Sequence, residues 1–250
     1  MSRLAFAEVW RETFDDARRN YALYATLAAA FVLLPAMALR VFGPAAPKTI
    51  ADLNGSWLAI HFIMALIGAL AQLGIAGLAT GAAATPSAAL RRAVSALPGL
   101  AAAGLITAFA LMPSVFLIQG SQRGYPALLL PGLALLIPGL FVVARLSLGV
   151  PLLAARTLAP TTALRLSWTA TAGNGWRILG VLAASLGMFV IAMLLAGGVA
   201  AAFGSVLTLF GATTLGGFVA ALISAAVASA YTIVNSALLA VMYRRLADKA

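Results

Sequence analysis

Long stretches of this chain carry no Asp, Glu, Lys or Arg: residues 21–39, 53–90, 93–122, 124–144 and 178–243. Polar and charged positions are swept into the gaps. A helix that crosses a bilayer core needs about 20 apolar residues, so the first four runs supply one span each and the last supplies two with a turn between them. The runs show no alternation of period two, and lipid tolerates only structures that pair every backbone group internally, so the pattern selects helices. The expected fold is therefore all-α: a polytopic membrane helical bundle with six transmembrane helices, residues 1–250 forming one integral-membrane domain. The expected spans are 21–41, 57–81, 99–118, 127–144, 177–202 and 215–243.

Short amphipathic segments are expected between the spans. In the first gap Phe6, Trp10, Thr13, Phe14, Ala17, Tyr21 and Tyr24 recur at the spacing of one helix face. Charged residues occupy the opposite face, with Glu8/Arg11 and Arg11/Asp15 spaced to pair along it. This predicts an interfacial helix feeding the first span. Pro86-Ser-Ala-Ala-Leu-Arg91 and Pro160-Thr-Thr-Ala-Leu-Arg165 match at four of six positions. Each begins with a proline, which costs nothing in a helix's first turn, and Ser87 or Thr161 supplies a hydroxyl there. Each also precedes an apolar run. The pattern predicts three units of one short helix plus a two-helix hairpin, over 3–85, 86–159 and 160–250, a threefold internal repeat.

Composition sharpens the assignment. Hydrophobic residues make up 63% of the chain and charged residues 9%, against roughly 45–50% and 25% in soluble domains. There is no cysteine, which excludes disulfides, thiolate metal sites and thiol nucleophiles.

The net charge of +10 would suit a nucleic-acid partner, but the positions of the cations point to membrane orientation. Arg3, Arg11, Arg18, Arg19, Arg91, Arg92, Arg156, Arg165, Arg177, Arg244, Arg245 and Lys249 all fall in alternate gaps. The other gaps hold only Arg40, Lys48 and Arg123. By the positive-inside rule both termini are expected in the cytoplasm, and no nucleic acid is expected as a partner. Glu8, Glu12, Asp15 and Asp16 cancel the arginines before the first run, and that run exceeds a signal peptide's apolar core, so it is read as a span.

Candidate chemistry inside the spans is sparse. His61, the only histidine, lies one turn inside the second span, and Gln72, Tyr231 and Asn235 are the other deep polar groups. One histidine without cysteine or an intramembrane acid makes no zinc site, and a pairing with Ser56 would lack the orienting group and oxyanion donors of a hydrolase. These residues are expected to hydrogen-bond within or between helices. Small residues at four-residue spacing, Gly77/Gly81 and the Gly216, Ala220, Ser224 and Gly217, Ala221, Ala225 series, suit close helix packing or a homo-oligomer face.

The densest constellation runs from Arg145-Leu-Ser-Leu-Gly-Val-Pro151 to Ala163-Leu-Arg165-Leu-Ser167-Trp168 and Gly173-Asn174-Gly-Trp176-Arg177. Arg145 can snorkel from the end of the fourth span, Gly173-Asn174 has the chemistry of a helix end at positive φ, and Trp168 and Trp176 suit headgroup-level anchoring. In this segment the chain resembles the membrane-domain family of glycerophosphoryl diester phosphodiesterases and related bacterial integral-membrane proteins. Those have an Arg-containing fourth span ending towards a Pro, an Ala-Leu-x-x-Ser-Trp segment and a Gly-Asn-x-Trp-Arg turn. The resemblance implies a six-helix bacterial inner-membrane domain. It does not bring the enzyme's activity, because six acids and one histidine cannot furnish that enzyme's metal site and acid/base pair.

The functional expectation is a non-enzymatic membrane protein that binds or organises lipid, or serves as a scaffold for a membrane-protein partner. No catalytic residue, cofactor or metal is expected. Arg91, Arg92, Arg145, Arg165, Trp168, Asn174, Trp176 and Arg177 are the candidates for contact with lipid headgroups, anionic ones included. The alternative is a transporter of a lipidic or apolar solute, with His61, Gln72 and Asn235 as its intramembrane polar groups; the spans offer no Asp or Glu for coupling to an ion.

Overall fold

The computed structural model describes residues 5–44 and 55–246, and no strand occurs among them. Ten α-helices follow in order: α1 (Phe6–Arg19), α2 (Tyr21–Ala28), α3 (Leu34–Phe42), α4 (Gly55–Ala79), α5 (Pro86–Gln122), α6 (Leu129–Leu146), α7 (Gly149–Ala155), α8 (Pro160–Ala170), α9 (Gly175–Leu209) and α10 (Thr213–Leu246). Six stretches are long and apolar enough to span: Tyr21–Phe42, Gly55–Ala79, Pro86–Gln122, Pro126–Ala155, Gly175–Leu209 and Thr213–Leu246. The protein is thus an all-α polytopic membrane bundle. Arg3, Lys48 and Lys249 lie outside the described residues.

Prolines shape the spans. Pro35 has no N–H to give the Phe31 carbonyl, and the preceding turn, Ala29–Leu33, is wound as a π-helix. Pro151 likewise leaves the Ser147 carbonyl without its helical donor, and the fourth span breaks there: Ser147 N–H reaches back only to Ala144 O, at 3.4 Å, and α7 starts afresh at Gly149. Pro98, Pro113 and Pro138 are absorbed inside α5 and α6.

One expected element takes a different form. The segment beginning at Pro86 is not a separate interfacial helix but the first turns of α5, which runs unbroken for 37 residues, about 55 Å at 1.5 Å per residue. The segment at Pro160 is separate, as α8. Their sequels explain the difference. After α8, Gly173 at φ 77° turns the chain before α9, whereas nothing between Arg92 and Gly99 stops propagation. Thr85, two residues before the expected Ser87, caps α5 by accepting from Ala88 N–H at 3.3 Å.

Burial is uneven along the bundle. The end where α1, α7, α8 and the last turns of α4 and α10 meet is densely packed: Leu73, Ile75, Leu148, Leu152, Ile178, Leu238 and Met242 are fully buried there. Towards the other end α5 pairs with α6 and α9 with α10, and large side chains such as Phe116, Leu130, Leu194 and Phe203 face outward. Glycines let these pairs close. A Cβ on Gly139 would sit 2.9 Å from the Ala110 carbonyl, and one on Gly216 would sit 3.3 Å from the Gly204 Cα. Of the expected packing stripes, Gly216 sits at this close approach, whereas a Cβ on Gly77 or Gly217 would meet nothing within 4 Å and Gly81, at φ 75°, serves the turn after α4.

α1 also differs from its expected pairing. Its buried face is Val9, Thr13 and Ala17, while Phe6, Trp10 and Phe14 form a ladder with ring centroids 6.4 and 5.7 Å apart, and Phe6 and Phe14 stay exposed. Its acids do not pair along the helix with Arg11. Glu8 and Glu12 hold Arg245, at 2.9 and 2.5 Å, and Asp16 lies 3.5 Å from Arg244. A bundle that places the C-terminal end of α10 beside α1 offers those carboxylates guanidiniums fixed by packing, which outcompete a flexible neighbour on the same helix.

Candidate functional site

Arg145 organises the densely packed end. Because α6 breaks just after it, its own carbonyl lacks a helical donor and instead takes the Ser167 hydroxyl at 2.8 Å, with Thr171 Oγ1 at 3.1 Å. The side chain returns the contact: Nε donates to Thr171 Oγ1 at 3.2 Å, a terminal nitrogen donates to the Trp168 carbonyl, and Cζ lies 4.0 Å above the Trp168 ring. Gly175 must be small here, since a Cβ would meet the Phe141 ring at 2.7 Å and Arg145 Cδ at 3.2 Å. Phe141 in turn lies 5.0 Å from the Trp176 ring. Asn174, buried, takes the N-cap position of α9, and its carbonyl accepts from Ile178 N–H at 2.9 Å.

Arg145, Trp168, Asn174 and Trp176 are therefore brought together as a knot between α6, α8 and α9. The guanidinium is engaged by protein groups. Trp176 is 65% exposed, so its free face points out of the bundle. Arg91, Arg165 and Arg177 are exposed on the same end, and Arg92 donates to the Ala82 carbonyl just past α4. The eight headgroup candidates do not converge on one point.

The deep polar residues do converge, in part. A cavity of about 490 Å³ opens between α4, α5, α6, α9 and α10 and is lined by Gln72, Tyr231 and Asn235 together with Thr107 and Ser147; the remaining lining is almost wholly apolar, including Leu100, Leu140, Leu182 and Leu239. Thr107 and Ser147 spend their hydroxyls on the Ala103 and Ala144 carbonyls, both at 2.8 Å. Tyr231 stacks on Phe189 with centroids 4.3 Å apart. Chemically the cavity is an oily space with two carboxamides and a phenol on its walls, able to donate and accept hydrogen bonds without a formal charge. His61 stands apart. It stacks on Trp57 at 3.7 Å and shares a 2.9 Å hydrogen bond with the Trp57 carbonyl.

Two further concavities were not anticipated. A groove of about 650 Å³ runs along α1, α2 and α10 past Arg18 and Tyr21 to Leu33 and Ala226. A smaller pocket, about 330 Å³, lies between the start of α5 and the α7–α8 link and contains Arg92, Ser95, Arg156 and Thr157. Arg156 and Arg18 were read only as orientation charges; their distinguishing signal, which concavity they border, exists only in three dimensions.

Among the described residues no group of three or more His, Asp or Glu is placed to hold a metal ion. No protein-family model, curated protein or solved structure matches the chain.

Proposed function

We propose that this is a non-enzymatic bacterial inner-membrane protein that binds lipid, taking an acyl-bearing molecule into the cavity lined by Gln72, Tyr231 and Asn235. The observation that carries the reading is the chemistry of that cavity: about 490 Å³ of mostly apolar wall with two carboxamides and a phenol. Apolar cavities of this size accept apolar groups, and a few polar side chains fix orientation. In a lipid environment an amide facing an oily space gains most from a ligand carrying a hydroxyl, ester or amide. Both termini are placed in the cytoplasm, since the cation-rich end then faces the anionic leaflet. Kinship with the phosphodiesterase membrane-domain family is proposed on the segment from Arg145 to Arg177 alone. Electron cryomicroscopy of the protein in lipid nanodiscs tests the reading: elongated density between Gln72 and Asn235 is expected, and a cavity holding only water or collapsed onto itself would contradict it.

A second reading, a transporter of a lipidic or apolar solute, is favoured by the cavity's position where the α5–α6 and α9–α10 pairs meet. It predicts that the reconstituted protein accelerates passage of a fluorescent phospholipid between leaflets, whereas a binding or scaffolding protein leaves that rate unchanged.

A further inference from the structure

We propose that the pocket between the start of α5 and the α7–α8 link is a phosphate-binding site, built from Arg92, Ser95, Arg156 and Thr157. It goes beyond the lipid-binding reading: it lies apart from the central cavity, at the cation-rich end, and its polar lining is Arg92 and Ser95 on α5, with the Ser95 hydroxyl donated to the Arg92 carbonyl at 2.8 Å, and Arg156 and Thr157 on the α7–α8 link.

The charge pattern comes first. Among the described residues every carboxylate side chain, Glu8, Glu12, Asp15 and Asp16, is on α1, and the ion pairs formed there go to Arg244 and Arg245. None of the described residues lining the pocket is acidic. Two guanidiniums that share a concavity with no counter-ion repel each other, and an anion placed between them relieves that repulsion while gaining charge-assisted hydrogen bonds.

The geometry is suited to it. Arg92 is anchored by a hydrogen bond from one terminal nitrogen to the Ala82 carbonyl, which fixes the plane and leaves its remaining N–H donors available. Arg156 leaves α7 in an extended conformation, φ −131° and ψ 144°, and is exposed, so its side chain can turn to the pocket. The planar fork of arginine matches phosphate oxygens better than a lysine does. α8 begins at Pro160 on the pocket's rim, and the first turn of a helix presents partial positive charge to an anion. The apolar part, Pro98, Leu153 and Leu158, together with a volume of about 330 Å³, leaves room for the organic substituent of a phosphate ester beside the phosphate itself.

A lipid headgroup and a soluble phosphate ester share that chemistry, and the experiment separates them. The full chain in neutral detergent is titrated calorimetrically with inorganic phosphate. In parallel, native mass spectrometry measures retention of phosphatidylglycerol against phosphatidylcholine. Arg156→Gln is expected to weaken phosphate binding, or to lower phosphatidylglycerol retention, by about tenfold. Arg156→Lys should lose less, and Arg123→Gln, at the far end of α5 from the pocket, should match wild type. Preference for phosphatidylglycerol without phosphate binding assigns a lipid headgroup; phosphate binding without lipid preference assigns a soluble ester. Wild-type behaviour of folded Arg156→Gln towards both probes overturns the proposal, as does wild-type protein that binds neither. Because Arg156 is exposed, its variants fold even where Arg92→Gln loses the anchor on Ala82. Emptying the central cavity of lipid leaves this result untouched, so the two readings fail separately.

Discussion

Arg245 grips Glu12 with both arms of its fork, Nε at 3.0 Å from Oε2 and a terminal nitrogen at 2.5 Å from Oε1, joining the last turn of α10 to the first helix of the chain. The hydrogen bond from Arg245 holds the Glu12 carboxyl below the ordinary glutamate range. A depressed carboxylate pKa stabilises the fold above the unfolded value, about 4.3, and that contribution disappears as the pH falls through the lower folded value. Glu12→Gln should therefore lower the thermal midpoint at pH 7, by the equivalent of about 0.5–1 kcal/mol for a half-exposed pair, and the difference from wild type should shrink at pH 3. A difference that is the same at both pH values would show that the carboxylate charge is not what stabilises this contact.

Arg145 serves the fold through its side chain and its carbonyl alike. Arg145→Leu keeps the carbonyl contacts with Ser167 and Thr171 but leaves the Trp168 carbonyl only the Thr171 hydroxyl at 3.2 Å and removes the cation from above the indole. The expected cost is about 1–3 kcal/mol, read as a lower midpoint or lower folded yield in detergent, with topology unchanged. Arg145→Lys should recover only part of this, because an ammonium cannot reach Thr171 and the Trp168 carbonyl from one plane. Full stability of Arg145→Leu would reduce Arg145 to an orientation charge.

Two glycines in the same knot are constrained for different reasons. At Gly173 the backbone itself requires it: φ is 77°, and an alanine there costs about 1–2 kcal/mol. At Gly175 the constraint is space, since the added methyl would sit 2.7 Å from the Phe141 ring. Gly180→Ala, inside α9 with nothing within 4 Å of the new methyl, is the control and should not lower stability. Thermal midpoints of the three variants test the ranking.

The alternation of cations across the gaps predicts opposite sides for a reporter placed after Pro44 and one placed after Leu246, with the second in the cytoplasm. Alkaline phosphatase and fluorescent-protein fusions at the two sites read this directly. The same side for both would break the six-span topology.

The bundle was legible because charge-free runs and chain length dictate helices in lipid without reference to tertiary contacts, and Arg145, Trp168 and Gly173 stood out because each has chemistry that is awkward in the middle of an apolar helix. What escaped the sequence was partnership. Glu12 has Arg11 beside it yet bonds Arg245, because side-chain pairing across the bundle depends on which helix ends abut. The Pro86 segment resembles the Pro160 segment residue by residue, but the state of each is decided downstream, by the presence or absence of a Gly173. Gln72 and Asn235, far apart in the chain, reveal a shared cavity only once α4 and α10 are packed.

The central claim is that lipid occupies that cavity, and Gly104 gives the most direct access to it. Gly104 lines the cavity, and a Cβ built on it meets nothing within 4 Å, so a side chain can start from this position and Gly104→Phe is the cavity-filling variant. Native mass spectrometry of protein released from nanodiscs of bacterial phospholipid should show wild type carrying at least one lipid through detergent washing and Gly104→Phe, equally folded, losing it. Equal lipid retention by the two proteins, or none by wild type, would contradict the claim.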